Sequence, residues 1–216
     1  MILRELRILR LQKGTLYGAL SFYTLALFCI ALAIGPEPTV LGRSAPALIW
    51  ILCVLTTLFS TPQLLKQEEN EGILDEMMMR PSHPALFLLS KMAALFFFMG
   101  VPLILVGASL SPLFALPLDE VLTLIATLLI GFPALSSLTI LGGLLTLNSR
   151  GDGILISLLI LPLILPLILF SLSAAHMVRL GLDSSPSFCL LTSVSLILVI
   201  VSMTAGTKAL RFAVEG

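Results

Sequence analysis

Charge is scarce in this chain: 12 Lys and Arg and 12 Asp and Glu make up 11% of 216 residues and cancel to zero. No basic excess remains to bind nucleic acid, and too little charge remains to solvate a soluble domain of this length. Cysteine is scarcer still. Cys29, Cys53 and Cys189 stand far apart, with no CxxC, CxxCH or metal-ligand spacing, so they are expected to pack or to face lipid. The only histidines are His83, between Pro81 and Pro84 in a loop, and His176, near the end of an apolar run. Neither has a Cys, Asp or Glu at ligand spacing; His176 reads as an interfacial histidine, with a haem or metal role as the alternative. No G-x-x-x-x-G-K-[ST] occurs, and no polar stretch is long enough for an ATPase fold. Any ATP dependence must come from another subunit, and no catalytic residue is expected here.

What the chain has is apolar length. It is 58% hydrophobic with mean hydropathy +1.12, and about 20 apolar residues suffice to cross the roughly 30 Å of bilayer hydrocarbon. Six runs qualify, near 15–34, 45–65, 85–110, 121–147, 154–174 and 188–206, which predicts one all-α, six-span transmembrane domain over 1–216. With the N-terminus inside, ten Lys and Arg fall on the inner side and only Arg43 and Arg179 on the outer, so both termini are expected in the cytoplasm. Residues 2–12 set Leu3, Leu6 and Leu9 beside Arg4, Arg7 and Arg10, the pattern of a short interfacial helix. Ala31-Leu32-Ala33 imitates a signal cleavage site, but the preceding run is too long for a signal core and an uncleaved span is expected.

The span cores lack ionisable residues, except Lys91, which is close enough to the inner boundary to snorkel. Proton pumps and ion-coupled carriers usually need buried carboxylates or histidines, so that class is disfavoured. Gly100, Pro102 and Gly107 interrupt span three, Gly131 and Pro133 span four, and Pro162 and Pro166 span five, either as packing geometry or as moving elements. Gly35-Pro36-Glu37-Pro38 makes a stiff exit from span one. Ala45-Pro46-Ala47 reads as the start of the next helix, with Trp50 one turn on at aromatic-belt depth.

The charge that exists is concentrated. Residues 66–84 carry Glu68, Glu69, Glu71, Asp75 and Glu76 with Lys66 and Arg80, between two nearly uncharged runs. A carboxylate at mid-bilayer costs about 2.5–3.5 kcal/mol on the insertion scale, so this segment belongs in water. After Gly72, the apolar residues Ile73, Leu74, Met77 and Met78 make one stripe of a short helix that Pro81 ends. Methionines on an exposed helical face suit an adaptable protein partner, and the acidity disfavours an anionic membrane surface.

A Glu-rich inner turn between spans two and three, with Glu71-x-x-Leu74-Asp75 around Gly72, resembles the coupling helix of ABC-2-type transporter permeases. Gly35-Pro36-Glu37-Pro38, Arg43, Pro46 and Trp50, together with Gly131-x-Pro133 and the Pro162 and Pro166 pair, are similar to the haem exporter protein B (CcmB) family of cytochrome c maturation. The similarity runs from residue 1 to about 206; His83-Pro84 departs from the family pattern. It implies the ABC-2-type permease fold, an inner-membrane location, and a CcmA-like ATPase that carries the ATP. It also implies CcmC-like and CcmD-like membrane partners and a periplasmic CcmE-like haem chaperone, around two copies of this chain. Glu68, Glu69, Glu71, Asp75 and Glu76 would meet a basic rim on the ATPase, and Met77 and Met78 its groove. Haem is then the handled molecule, either exported or released on its chaperone, and the chain itself is expected to hold no cofactor. The alternative is an ABC-2-type exporter of another lipid or a polysaccharide.

Overall fold

The computed structural model of the protein describes residues 13–35, 37–70, 84–147 and 153–215. The basic stretch 2–12, Pro36, and Glu71, Gly72, Asp75, Glu76, Met77, Met78 and His83 of the acidic segment lie outside the described residues. Helix α1 spans Lys13–Ile34 and α2 Pro38–Asn70, followed by α3, Pro84–Leu95. A π-helical turn, Phe96–Gly100, joins α3 to α4, Val101–Ser109, and a short 3₁₀ turn, Ser111–Phe114, leads on. Then come α5, Leu118–Leu147, α6, Gly153–Arg179, and α7, Ser185–Glu215. Among the described residues there is no strand, as expected in hydrocarbon, where an open strand edge would leave backbone groups unpaired.

Six helices are long and apolar enough to cross a membrane: α1, α2, the α3–α4 unit, α5, α6 and α7. Consecutive spans therefore alternate in direction, and the start of α1 lies at the same end of the bundle as the end of α2. That end, where the acidic segment joins α2 to α3, is the near end; the opposite one is the far end.

Three expectations are corrected. First, α2 begins at Pro38, so Pro46 is inside the helix rather than at its start. Glu37 caps it, with its carbonyl accepting the Leu41 N–H at 3.1 Å and its carboxylate the Thr39 hydroxyl at 3.1 Å. Gly35 closes α1 at φ +91, a conformation that favours glycine, while Pro38 takes the first helical position, where a missing N–H costs nothing. Second, Trp50 is only 1% exposed, packed between helices rather than lying in an interfacial belt. Third, Lys91 is buried, with its ammonium 5.8 Å above the Phe87 ring one turn towards the helix start.

Helix α5 is the centre of the bundle, packing on α2, α6 and α7, with α1 set outside against α2 and α4. Close approach at this centre depends on glycine. A Cβ on Gly131 would stand 2.5 Å from the Trp50 ring and one on Gly100 2.7 Å from Phe132, too close for either rigid aromatic. The π turn ends at Gly100 with the Val101 N–H bonded to the Phe96 carbonyl; the extra residue in that loop lets Pro102, which has no N–H to give, enter the helix. Of the two readings of span three, this contact supports packing. Cys53 is buried while Cys29 and Cys189 are exposed, which are the two fates expected for them.

Tyr23 is wholly buried against Gly107, and its hydroxyl has no partner among the described residues. A buried hydroxyl without a hydrogen bond costs about 1–3 kcal/mol. Tyr23→Phe is therefore expected to leave thermal stability unchanged or raise it. A clear drop in the melting temperature in detergent would show that the hydroxyl has a partner after all.

Candidate functional site

Proline at position 46 has a consequence four residues earlier. In a continuous helix the Gly42 carbonyl would accept from the N–H of residue 46, and Pro46 has none. The carbonyl is left to find another donor in an apolar setting, where an unpaired one is costly. Arg179, in the last turn of α6, supplies it: one terminal guanidinium nitrogen donates to Gly42 O at 2.6 Å.

The same guanidinium grips Glu120 in the first turn of α5. Its Nε donates to Oε1 at 2.8 Å, and Nη2 donates to Oε2, making a two-pronged, charge-assisted pair. The Glu120 side chain is 6% exposed and that of Arg179 29%. Each charge also sits at the helix end that suits it, the carboxylate at an N-terminus and the cation at a C-terminus. Three helices, α2, α5 and α6, are thus fastened at the far end. The turn after α4 closes on the same place: Phe114 is fully buried and its carbonyl lies 3.3 Å from where a Gly42 Cβ would be. Ala115 turns the chain there with φ 52.

Below this clamp, the α2–α5 seam continues through Trp50. Its indole N–H donates to the Thr127 hydroxyl at 3.3 Å, and that hydroxyl donates to the Leu124 carbonyl at 2.9 Å. Glu120, Thr127 and Gly131 share one stripe of α5, at i, i+7 and i+11. The clamp, the indole hydrogen bond and the indole–glycine contact therefore form one continuous seam.

The residues singled out in the sequence are distributed unevenly around it. Pro46 and Trp50 belong to the seam, whereas Gly35, Glu37 and Pro38 shape the α1–α2 turn beside it and Arg43 is exposed. Pro162 and Pro166 are inside α6, the first exposed and the second half-buried, away from the clamp. Glu68 and Glu69 belong to the last turn of α2 at the near end. His176 is exposed in the last turn of α6. Glu120 and Gly42 were missed, and Arg179 was only counted as an outer charge. The available signal was a Gly four residues before an in-helix Pro, together with opposite charges at two span ends predicted to share one side.

The described residues bring no three metal-ligating side chains together. The arrangement is a charged clasp at one end of a helix whose other end leads into the acidic segment. Helix α2 has 33 residues, about 50 Å at 1.5 Å per residue, long enough to link the two ends of the bundle.

Curated relatives match nearly end to end. Heme exporter protein B of Pseudomonas aeruginosa is 31% identical over 211 residues, covering 96% of this chain and 95% of the relative. That of Haemophilus influenzae is 30% identical over 214 residues, covering 99% and 97%, and that of Escherichia coli K12 is 28% identical over 211 residues, covering 98% and 96%. A family model described as CcmB protein matches residues 1–213, and the chain belongs to the CcmB family.

Proposed function

We propose that this chain is the membrane-spanning subunit of an ABC transporter complex that handles haem in c-type cytochrome biogenesis. The observation that carries the proposal is the end-to-end match to proteins named heme exporter protein B, on a bundle of six membrane-length helices. In this reading the near end faces the cytoplasm and the far end the periplasm across a bacterial inner membrane, in keeping with the distribution of Lys and Arg. A CcmA-like ATPase binds and hydrolyses ATP, and CcmC-like and CcmD-like membrane proteins and a CcmE-like haem chaperone work beside it. Two copies of this chain serve the two docking grooves of an ATPase dimer. Another lipid or a polysaccharide as substrate is the reading that the full-length similarity disfavours.

The acidic segment is the docking element, with Glu68, Glu69, Glu71, Asp75 and Glu76 towards the ATPase and Met77 and Met78 in its groove. A shift imposed there enters α2 directly. It is felt about 40 Å away at the Gly42 carbonyl, where it must carry Arg179 and Glu120 along or break their contacts. The output at the far end is release of haem-loaded chaperone rather than passage of haem through the bundle. Supporting this is the scarcity of ionisable residues along the spans, which leaves no polar route for a dicarboxylate.

The test is purification of the chain with its ATPase and the chaperone. ATP is expected to release haem-loaded chaperone while no haem absorbance follows this chain. Stoichiometric haem on the permease alone would favour export, and release that is indifferent to the presence of this chain would remove it from the mechanism.

A further inference from the structure

Two helices lead away from the acidic segment, α2 and span three, and the second is interrupted at its midpoint. The π turn Phe96–Gly100 lies at the centre of Ala85–Ser109, the apolar length that crosses the membrane. In a regular helix the Phe97 carbonyl would accept from the N–H of Val101, and the Phe98 carbonyl from that of residue 102. Val101 donates to Phe96 instead, and residue 102 is proline. Two successive α-helical rungs are therefore missing at one level, and helices bend where the ladder is broken in this way. By contrast, α2 stays α-helical from Pro38 to Asn70 through both of its interior prolines.

The halves of span three rest on different supports: α3 packs on α5 and α7, and α4 on α5 and α1. They are also held unequally. On α4, a Cβ at Gly107 would stand 2.8 Å from the hydroxyl of the rigid Tyr23 ring and 3.3 Å from Ile49, both buried. Beside α3 a small space remains, lined by Leu88 and Met92 of α3, Ser137 of α5, and Ser202, Met203 and Gly206 of α7. The contact with Gly206 is made by the tip of the Leu88 side chain, and methionines change conformation at little cost. Between the halves, Gly100 sits on the Phe132 ring of α5, the helix that both halves touch.

We propose that the π turn is a hinge: α3 swings about Gly100 against α7 when the ATPase moves the acidic segment, while α4 stays on α1 and the far-end turn. This rests on the docking reading above. It makes the two helices that leave the segment unequal, because a displacement entering α2 reaches the clamp, whereas one entering α3 is taken up at mid-bilayer. The Gly100 contact with Phe132 is the pivot, so close packing and movement share one site. Pro102 keeps the hinge from closing, since the ladder cannot be completed across a residue without an N–H.

The test uses the full chain co-expressed with its ATPase, in lipid nanodiscs, with Cys29 and Cys189 replaced by serine and spin labels on pairs of introduced cysteines. Leu86 on α3 with Val201 on α7 reads the near half, and Leu105 on α4 with Leu190 on α7 reads the far half; all four positions are exposed. Between the nucleotide-free state and ATP with vanadate, the near pair is expected to change its distance several-fold more than the far pair. Pro102→Ala, which restores a donor for the Phe98 carbonyl, is expected to make the two changes comparable while the ATPase stays bound. Equal changes in the native chain, no change in either pair with the ATPase bound, or a swing that Pro102→Ala leaves confined to α3 would each overturn the hinge and leave the docking reading standing. An ATPase that does not copurify with the native chain would overturn the docking reading and the hinge with it.

Discussion

Trp50→Ala is expected to be the most damaging truncation in the bundle, lowering stability by about 3 kcal/mol. Emptying a site filled by a large aromatic costs about 3–5 kcal/mol in soluble cores. The lower end applies here because lipid solvates a released indole nearly as well as the helix interface does, leaving the void and the lost contacts as the main cost. The ring is 1% exposed, donates to Thr127 and rests on Gly131, so no other side chain can move in without uncovering another position. The partner substitution gives the sharper test. Gly131→Ala places a methyl 2.5 Å from the indole and should cost about 1–3 kcal/mol by overpacking. In the Trp50→Ala background the same methyl enters the void, so its effect should fall to zero or turn stabilising, a coupling of about 1–3 kcal/mol. Thermal unfolding of the four proteins in one detergent measures this. Additive losses would mean that the two residues do not share a seam.

Arg179→Ala should cost more than Glu120→Gln, although both delete the same ion pair. Removing the arginine leaves a carboxylate that is 6% exposed without its counter-charge and returns the Gly42 carbonyl to its unpaired state. Breaking a fully buried pair from one side costs about 3–5 kcal/mol, and roughly 2–3 kcal/mol is expected here because water reaches part of the arginine. Removing only the negative charge leaves an arginine that is 29% exposed, still able to reach water and the Gly42 carbonyl, for about 1 kcal/mol. Pro46→Ala provides an internal check, since it restores a backbone donor for Gly42 and should make Arg179→Ala less harmful. If the clamp also carries motion from the near end, Arg179→Ala should retain ATPase binding but lose ATP-driven chaperone release. Equal losses of stability from the two single variants would contradict the burial asymmetry, and normal release would restrict the clamp to a structural role.

The two kinds of information meet at Pro46. From sequence, a proline after Ala45 and near a predicted span start reads as a helix beginning, because proline is tolerated there and costly further in. The structure places it eight residues inside α2 and shows how the cost is offset, by an arginine 137 positions beyond Gly42. No local pattern could reveal that donor. Trp50 was misplaced for a related reason: an aromatic near a span end suits the membrane interface equally well, and only the contact with Gly131 on another helix decides that it packs inside. Lys91 shows the same limit, since periodicity gives its distance from the boundary but not the Phe87 ring beside it or the helices that cover it.

By itself the sequence determined what hydrocarbon imposes. Backbone polar groups without water must bond within their own segment, so six long apolar runs had to be six helices, and charge had to collect in one segment between the second and third. The resemblance to the CcmB family was also legible there, in residues of the first two and the fourth and fifth spans. Only the tertiary structure decided which helices share a face and which polar groups meet across them. Those contacts join positions 59, 77 and 137 residues apart, Glu120 with Arg179, Trp50 with Thr127 and Gly42 with Arg179. In a bilayer no hydrophobic force selects between helix partners, so the choice falls to close packing at glycine and to polar groups that have nowhere else to bond.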